Sequence, residues 1–193
     1  MIIMPARILD ISNPNLRFPE FIILDASIVL ELTPSPSNPH PHHDLAVGIF
    51  NRLSPFAQLG QVMLLLPLLA FEECLFKLCV WEIQAHTPNQ ATWHVFYKNN
   101  PQVILRARPK INSFCTILKG IPVEIIEPED LTISHVGTTP KLQDRMVNML
   151  FNFRVLPKDA TILSTAERLG IDTVITLDQD FKRADGFTVI TVP

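Results

Sequence analysis

The sequence has few cysteines, no long hydrophobic run and little net charge, and each shortage excludes a class of protein. Its three cysteines (Cys74, Cys79 and Cys115) are odd in number and have no metal-ligand spacing, which argues against a disulfide framework and a cysteine metal site. The most apolar stretch, 61–70, is too short to span a bilayer. The net charge of −3 gives no overall attraction to nucleic acid, so such binding requires a local basic surface.

The composition and the start of the chain indicate an ordinary globular protein. Hydrophobic residues make up 47% of the 193 residues and charged residues 18%, which is enough to bury a core. We therefore predict one domain over residues 1–193, with a lead at 1–20 ahead of the first strand. The lead lacks a basic segment followed by an apolar run, so we expect no signal peptide and a cytoplasmic location.

Buried strands alternate with helices along the chain. Short apolar runs bounded by turn residues predict strands at 21–24, 61–66, 122–126, 173–177 and 187–192. Periodicity and capping residues predict helices at 26–32, 44–59, 67–85, 141–153 and 157–169, a proline-rich loop at 33–41, and a helical insert at 87–120. This alternation predicts an α/β fold with a doubly wound parallel sheet of about five strands. Sites in such sheets lie outside the carboxyl ends of the strands.

Acidic residues fall where that rule expects a site. Asp25 ends the first of these strands, Asp178 ends the fourth, and Glu72 and Glu73 lie in the first turns of the helix after the second strand. Asp159 precedes the apolar stripe of its helix by three and four residues, so it lies on the face toward the sheet. Four segments of the chain therefore bring acids to one edge of the sheet.

Each of these acids also has a structural interpretation. Aspartate is frequent in turns after strands, and an acid in the first turn of a helix, such as Asp159, is favoured by the helix dipole. Several converging carboxylates, however, repel one another unless a cation compensates their charge. A cluster of carboxylates without histidine or cysteine suits a hard ion that prefers oxygen ligands, such as Mg²⁺ or Mn²⁺.

The ordered acidic segments resemble the four acidic motifs of PIN-domain proteins. The segments are LDAS at 24–27, the pair Glu72-Glu73, KDATILSTA at 158–166 and TLDQDF at 176–181. The resemblance implies a three-layer α/β/α sandwich and a metal site. The implied ligands are Asp25, Glu73, Asp159 and Asp178, with Asp180 in support and Glu72 as the alternative to Glu73.

The resemblance also implies an activity and partners. PIN domains are Mg²⁺- or Mn²⁺-dependent ribonucleases, and many bacterial members are toxins neutralised by an antitoxin. RNA, a protein antitoxin and a second copy of the chain are therefore the expected partners, without a membrane. The lead at 1–20 and the insert at 87–120 depart from the compact toxin pattern and weaken the toxin assignment.

Two further features have competing interpretations. The segment 83–123 contains no acidic residue. Its five basic residues are Lys98, Arg106, Arg108, Lys110 and Lys119. Three aromatic residues precede them in the chain: Trp93, Phe96 and Tyr97. This is either a basic arm that follows an RNA backbone or a solvated helical face with aromatics in the core. The histidines at 40, 42 and 43 lie beside prolines without a second ligand pair, which favours an exposed loop over a metal site.

Three other functions are weighed against the ribonuclease. A haloacid-dehalogenase-like phosphatase needs a second aspartate two residues after Asp25, and that position is Ser27. A catalytically silent PIN-like RNA-binding or scaffold module is expected where the acids are lost, and they are present here. A DNA substrate stays open, because chemistry based on a metal and carboxylates does not itself require a 2′-hydroxyl.

Overall fold

A computed structural model of the chain describes residues 4–33, 41–127 and 142–192, and the six strands in these ranges form one parallel sheet. The strands are β1 (Arg7–Asp10), β2 (Phe21–Leu24), β3 (Met63–Pro67), β4 (Val123–Ile126), β5 (Thr173–Ile175) and β6 (Thr188–Thr191). Their spatial order is β1-β6-β5-β2-β3-β4. The fold is therefore the predicted three-layer α/β/α sandwich.

Helices fill the connections between the strands. They are α1 (Ala26–Leu30), α2 (His43–Gln58), α3 (Leu68–Ala85), α4 (Trp93–Asn99), α5 (Arg108–Lys119), α6 (Leu142–Phe153) and α7 (Pro157–Leu169). Short 3₁₀ helices cover Gln90–Thr92, Pro101–Ala107 and Gln179–Arg183. In the described ranges no helix is both long and apolar enough to cross a membrane.

The centre of the sheet is buried because its strands are apolar on both faces. Ile22, Ile23 and Leu24 of β2 are fully buried, and so are Leu64 and Leu66 of the neighbouring β3. Continuous apolar runs of this kind are typical of parallel strands that are covered by helices on both sides.

The chain reverses direction across the sheet between β2 and β5. From β2 it proceeds outward to β3 and β4, and it then returns to β5, which pairs with the other side of β2. Right-handed connections consequently place the helices before and after the reversal on opposite faces of the sheet. Such a reversal opens a crevice at the carboxyl ends of the two strands.

The sequence missed one strand, the edge strand β1. The lead at 1–20 supplies it, and β1 pairs in parallel with β6 from Arg7 opposite Thr188 to Asp10 opposite Thr191. Arg7 and Ile8 are exposed, so this short segment has no apolar run by which a buried strand is recognised. The sheet therefore has six strands in place of the five that were predicted.

Several element boundaries also differ from the predictions. Helix α7 has the predicted bounds, whereas Pro67 is the last residue of β3 and not the first of α3. Asp44 lies in the first turn of α2 and His42 takes the capping position. Residues 34–40, most of the predicted proline-rich loop, lie outside the described residues, as does residue 141 at the predicted start of α6.

The predicted insert at 87–120 is helical and packs beside α3. It contains α4, α5 and the 3₁₀ helix Pro101–Ala107, and Pro101 and Pro109 lie in the first turns of the last two of these helices. Phe114 of α5 is fully buried and stacks on Phe71 of α3, with ring centroids 6.1 Å apart. The insert is thus part of the packed structure and is not a detached arm.

Candidate metal centre

Asp25 lies at the crevice between β2 and β5, where it caps the start of α1. Its backbone N–H donates to the carbonyl of Ile175 in β5, and its side chain is 5% exposed. Its Oδ2 atom accepts hydrogen bonds from the Ser27 backbone N–H (3.2 Å), the Ser27 hydroxyl and the Thr176 hydroxyl (2.8 Å). Among the described residues no hydrogen bond reaches Oδ1, so the carboxylate is held by one oxygen and offers the other.

The two hydroxyls on Asp25 are themselves oriented by the backbone after β5. The Leu177 N–H donates to the Ser27 hydroxyl and the Asp178 N–H donates to the Thr176 hydroxyl, each over 2.9 Å. Each hydroxyl has one proton, and accepting a backbone N–H leaves that proton free to point at Asp25. The backbone that positions Asp178 therefore also orients Asp25.

Asp178 and Asp180 follow β5 in the same turn. Asp178 is exposed and caps the 3₁₀ helix Gln179–Arg183 by accepting the Asp180 N–H over 2.9 Å. Asp180 forms an ion pair with Arg183 over 2.8 Å. Asp178 thus lies beside Asp25, whereas the charge of Asp180 is compensated by an arginine of its own helix.

Asp159 reaches the cluster from the first turn of α7. It is 8% exposed, and its Oδ2 accepts the Leu156 N–H at 3.2 Å, so it also stabilises the start of the helix. Burial raises its pKa from 3.8 to about 6, and the charges of Asp25, Asp178 and Glu73 contribute to the increase. Asp25, Glu73 and Asp178 are thus near enough to Asp159 for their charges to affect it.

The structure distinguishes the two neighbouring glutamates of α3. Glu73 is largely buried, and its charge contributes to the raised pKa of both Asp25 and Asp159. Its Oε1 atom lies 3.0 Å from the Lys77 ammonium and 3.7 Å from the Lys158 ammonium. Glu72 is exposed and has no such coupling to the cluster. Of the two candidates, only Glu73 belongs to the acidic cluster.

Asp25 is the most buried member of the cluster, and its environment is unfavourable to a bare charge. Burial raises its pKa, and the charge of Glu73 adds to this, while the hydrogen bonds from Ser27 and Thr176 act in the opposite direction. Burial and the charges of Asp25 and Glu73 also raise the pKa of the Cys74 thiol far above its ordinary value. Cys74 is therefore a buried, protonated core residue.

The donor set suits a hard divalent cation, but the acids do not yet form a closed coordination shell. In residues 4–33, 41–127 and 142–192 no three acidic, histidine or cysteine side chains are close enough to hold one ion together. Mg²⁺ usually keeps several of its water ligands and binds through only one or two carboxylates. An open group of carboxylates with one unbonded oxygen on Asp25 fits that mode of binding.

A cavity of about 260 Å³ opens beside the acidic cluster. Its lining includes Ser27, Lys77, Trp81, Leu177 and Asp178. The cavity therefore places Asp178 of the cluster beside a lysine and an indole ring. Its volume leaves room for part of a substrate next to the carboxylates.

Sequence reasoning left out four residues that contact the acids. Ser27 and Thr176, which donate to Asp25, were not among the predicted site residues, since threonine is common in strands. Lys77 and Lys158, the cationic partners of Glu73, were not considered. Signals for them were present, because Lys77 is four residues after Glu73 and helical neighbours at that spacing pair.

The basic segment of the insert has both paired and exposed cations, and its interpretation as an arm that follows RNA stays a prediction. Lys110 forms an ion pair with Glu82 over 2.7 Å, whereas Arg106, Arg108 and Lys119 are exposed. Trp93, which was predicted either to stack on bases or to lie in the core, is half-buried and packs edge-on against Phe76 at 6.3 Å.

Comparisons with known proteins support the fold. No protein-family model matches the chain, and no curated protein matches it. Among solved structures, it is similar to a chain in the crystal structure of VapBC2 from Rickettsia felis bound to a DNA fragment from their promoter. The TM-score is 0.50 and the identity 13%, over 89% of this chain and 98% of that chain. At this identity the likeness concerns the fold alone, and it agrees with a PIN-like three-layer sandwich.

Proposed function

We propose that this protein is a divalent-metal-dependent nuclease that hydrolyses phosphodiester bonds of RNA. The observation that carries the proposal is the coupling of Asp25, Glu73, Asp159 and Asp178 at the reversal point of the sheet. Burial and the neighbouring charges raise the pKa of Asp25 and Asp159, so a cation that compensates the charge of this group would stabilise it.

Of Asp25, Glu73, Asp159 and Asp178, one or two would bind Mg²⁺ or Mn²⁺ directly, and the others would act on it through its water ligands. A bound ion of this kind supplies a nucleophilic hydroxide from water and stabilises the charge on the phosphate and the leaving oxygen. Ser27 and Thr176 keep the Oδ1 atom of Asp25 aimed into the crevice by occupying its Oδ2 atom. Asp180 supports the turn that carries Asp178 and is not a ligand in this proposal.

The lysines beside Glu73 have a role in binding the substrate. Lys77 and Lys158 both approach the Oε1 atom of Glu73, and Lys77 also lines the adjacent cavity. When a cation takes over the charge of Glu73, the two ammonium groups become available to a phosphate of the substrate. A phosphodiester chain is thus held by lysines on one side of the acids.

An exposed aromatic ring next to the acids favours a nucleic acid over a small phosphate ester. Phe76 is one helical turn after Glu73 and is 54% exposed. The Lys158 ammonium lies 5.9 Å from the centroid of its ring, and Trp93 of the insert packs on its edge. An aromatic ring with a neighbouring cation is the usual platform for an unpaired base and its phosphate.

The proposal extends to a toxin–antitoxin pair. The similar solved chain belongs to VapBC2 from Rickettsia felis bound to promoter DNA, and the acidic motifs resemble those of PIN-domain toxins. A protein antitoxin is therefore the proposed partner, with a homodimer as a second assembly and the cytoplasm as the location. Co-purification with the product of a neighbouring small gene tests this part separately.

The central experiment is a cleavage assay on single-stranded RNA with Mn²⁺ or Mg²⁺. EDTA should stop the reaction, and Asp178→Ala should abolish it without unfolding the chain, because losing a ligand misplaces the activated water. Glu73→Gln should reduce cleavage strongly, whereas its matched neighbour Glu72→Gln should retain it. Full cleavage by Asp178→Ala would identify a contaminating nuclease and refute the mechanism.

A catalytically silent RNA-binding module is the second candidate, and the same variants separate it. A silent module binds RNA with or without metal and is unaffected by Asp178→Ala. If the protein is an enzyme with a narrow substrate range, the Asp178→Ala variant should keep its RNA substrate bound in cells. The wild type should cleave the same RNA and release the product.

A further inference from the structure

The lead at 1–20 does more than add an edge strand, because it also forms the wall of a second cavity. This cavity measures about 560 Å³, which lies within the range of small-molecule sites. Its lining includes Asp172 and Thr173, at the start of β5. It therefore lies at the amino ends of the strands, whereas the acidic cluster lies at their carboxyl ends.

The floor of the cavity is one face of the sheet edge. Arg7 and Leu9 alternate along β1 and so point to the same side, and they pair with Thr188 and Ile190 of β6, which also line the cavity. A loop, and not a helix, passes over this face between β1 and β2. The side chains of Arg17 and Phe18 in that loop complete the wall.

The loop is held in place by an arginine of α2. The Arg52 guanidinium donates to the carbonyls of Ile11, Pro14 and Leu16, with distances between 3.2 and 3.5 Å. It also lies over the Phe18 ring, 5.3 Å from the centroid. The cavity is thus formed by an anchored segment of the chain.

The charge of the lining points to an anionic ligand. Arg7 and Arg17 are exposed, and neither forms an ion pair with a carboxylate in the described part of the chain. Asn13 and Asn15 add amide donors, and the acid of the lining is Asp172, whose Oδ1 accepts the Thr173 hydroxyl at 2.9 Å. Arginine forks bind phosphate with two parallel hydrogen bonds, and a carboxylate can accept sugar hydroxyls.

We propose that this cavity binds a phosphomonoester carried on a sugar, that is, a nucleotide, with Arg7 and Arg17 on the phosphate and the apolar side chains of Leu16 and Phe18 beside the base. Such a group has two sources, a free mononucleotide or the 5′-phosphorylated end of an RNA. The site is independent of the proposed nuclease centre, because it uses none of its residues.

Calorimetry with adenosine 5′-monophosphate in EDTA tests the site without metal or cleavage. The nucleotide should bind with a dissociation constant of about 1 mM or below, and adenosine should bind at least tenfold more weakly. Arg7→Gln with Arg17→Gln should weaken binding by about tenfold or more, as should Arg17→Glu alone. Arg154→Gln, a change at an exposed arginine between α6 and α7, should bind like the wild type.

Fluorescence anisotropy with a short 3′-labelled RNA separates the two sources. Tighter binding of the 5′-phosphorylated RNA than of the 5′-hydroxyl RNA, lost in the double arginine variant, assigns the site to RNA ends. Binding of the mononucleotide without this difference assigns it to a free nucleotide. Equal binding of adenosine 5′-monophosphate and adenosine, or equal effects of Arg17→Gln and Arg154→Gln on nucleotide binding, would overturn the proposal.

Discussion

The hydroxyl of Thr176 donates a 2.8 Å hydrogen bond to the Oδ2 atom of Asp25, and the two residues are 151 positions apart in sequence. The bond joins the ends of β2 and β5, where the chain reverses across the sheet. It also links Asp178 to Asp25, since the Asp178 N–H donates to the same hydroxyl. The two acids are thus positioned as one unit.

Removing that hydroxyl should reduce activity more than it disturbs the fold. Thr176→Val keeps the side-chain shape but leaves the Asp178 N–H without its acceptor and removes one of the three donors to the Asp25 Oδ2 atom. We expect nuclease activity to fall about 10- to 100-fold and the free energy of unfolding to fall by about 1–3 kcal/mol. Thr173→Val is the control, since Thr173 lies on the strand that Thr176 follows. It removes a hydroxyl that donates to Asp172, and it should leave the cleavage rate unchanged. Similar cleavage rates for the two variants would contradict this role.

Divalent metal should stabilise the folded protein. A ligand that binds only the folded state at 100 times its dissociation constant adds about 2.7 kcal/mol to the free energy of unfolding. Mn²⁺ or Mg²⁺ should therefore raise the melting temperature of the wild type, and Asp25→Asn should blunt the rise. Asp44→Asn, a change at an exposed acid of α2, serves as the control. If scanning calorimetry finds the same shift for both variants, Asp25 is not a ligand.

The metal-free protein should become less stable as the pH rises through the range in which Asp159 loses its proton. Its pKa is raised to about 6 from 3.8, so the folded state binds a proton more tightly than the unfolded state. This contribution to the free energy of unfolding is present at low pH and is lost between about pH 4 and 7. It is at most about 3 kcal/mol, and solvent screening makes it smaller. Urea unfolding in EDTA at pH 5 and pH 8 measures the difference. Asp159→Asn should reduce it, and an unchanged pH dependence in that variant would count against the coupling.

Replacing the exposed ring of Phe76 should weaken substrate binding without removing the acids. Phe76→Ala deletes the stacking surface beside Lys158, and one lost stacking contact costs about 1–3 kcal/mol. We expect KM for single-stranded RNA to rise while kcat stays near its original value. Phe151→Ala, an equally large change at an exposed phenylalanine of α6, is the control. A fall in kcat alone for Phe76→Ala would place the ring at the reaction step instead of in binding.

Much of the fold was readable because it depends on local patterns. The apolar runs of β2 and β3 and the amphipathic periodicity of α7 specify their own secondary structure, and alternation of such elements leads to a parallel sheet. The edge strand β1 has no comparable pattern. It is a strand because β6 offers it unpaired backbone groups, and that partner is 181 positions away at the Arg7–Thr188 pair.

The acidic cluster, like the fold, was predictable from the sequence only in part. The sequence alone determined which acids end a strand or begin a helix, and therefore that Asp25, Asp159 and Asp178 share one edge of the sheet. It favoured Glu73 over Glu72 only through the family resemblance. Successive helical residues differ by about 100° in direction, so the packing of α3 beside α7, where Lys158 approaches Glu73, determines which of the two is partly buried. The partners of Asp25 and the arginine-lined cavity were decided by tertiary structure, because hydrogen bonds and unpaired charges depend on distances between segments that no local pattern encodes.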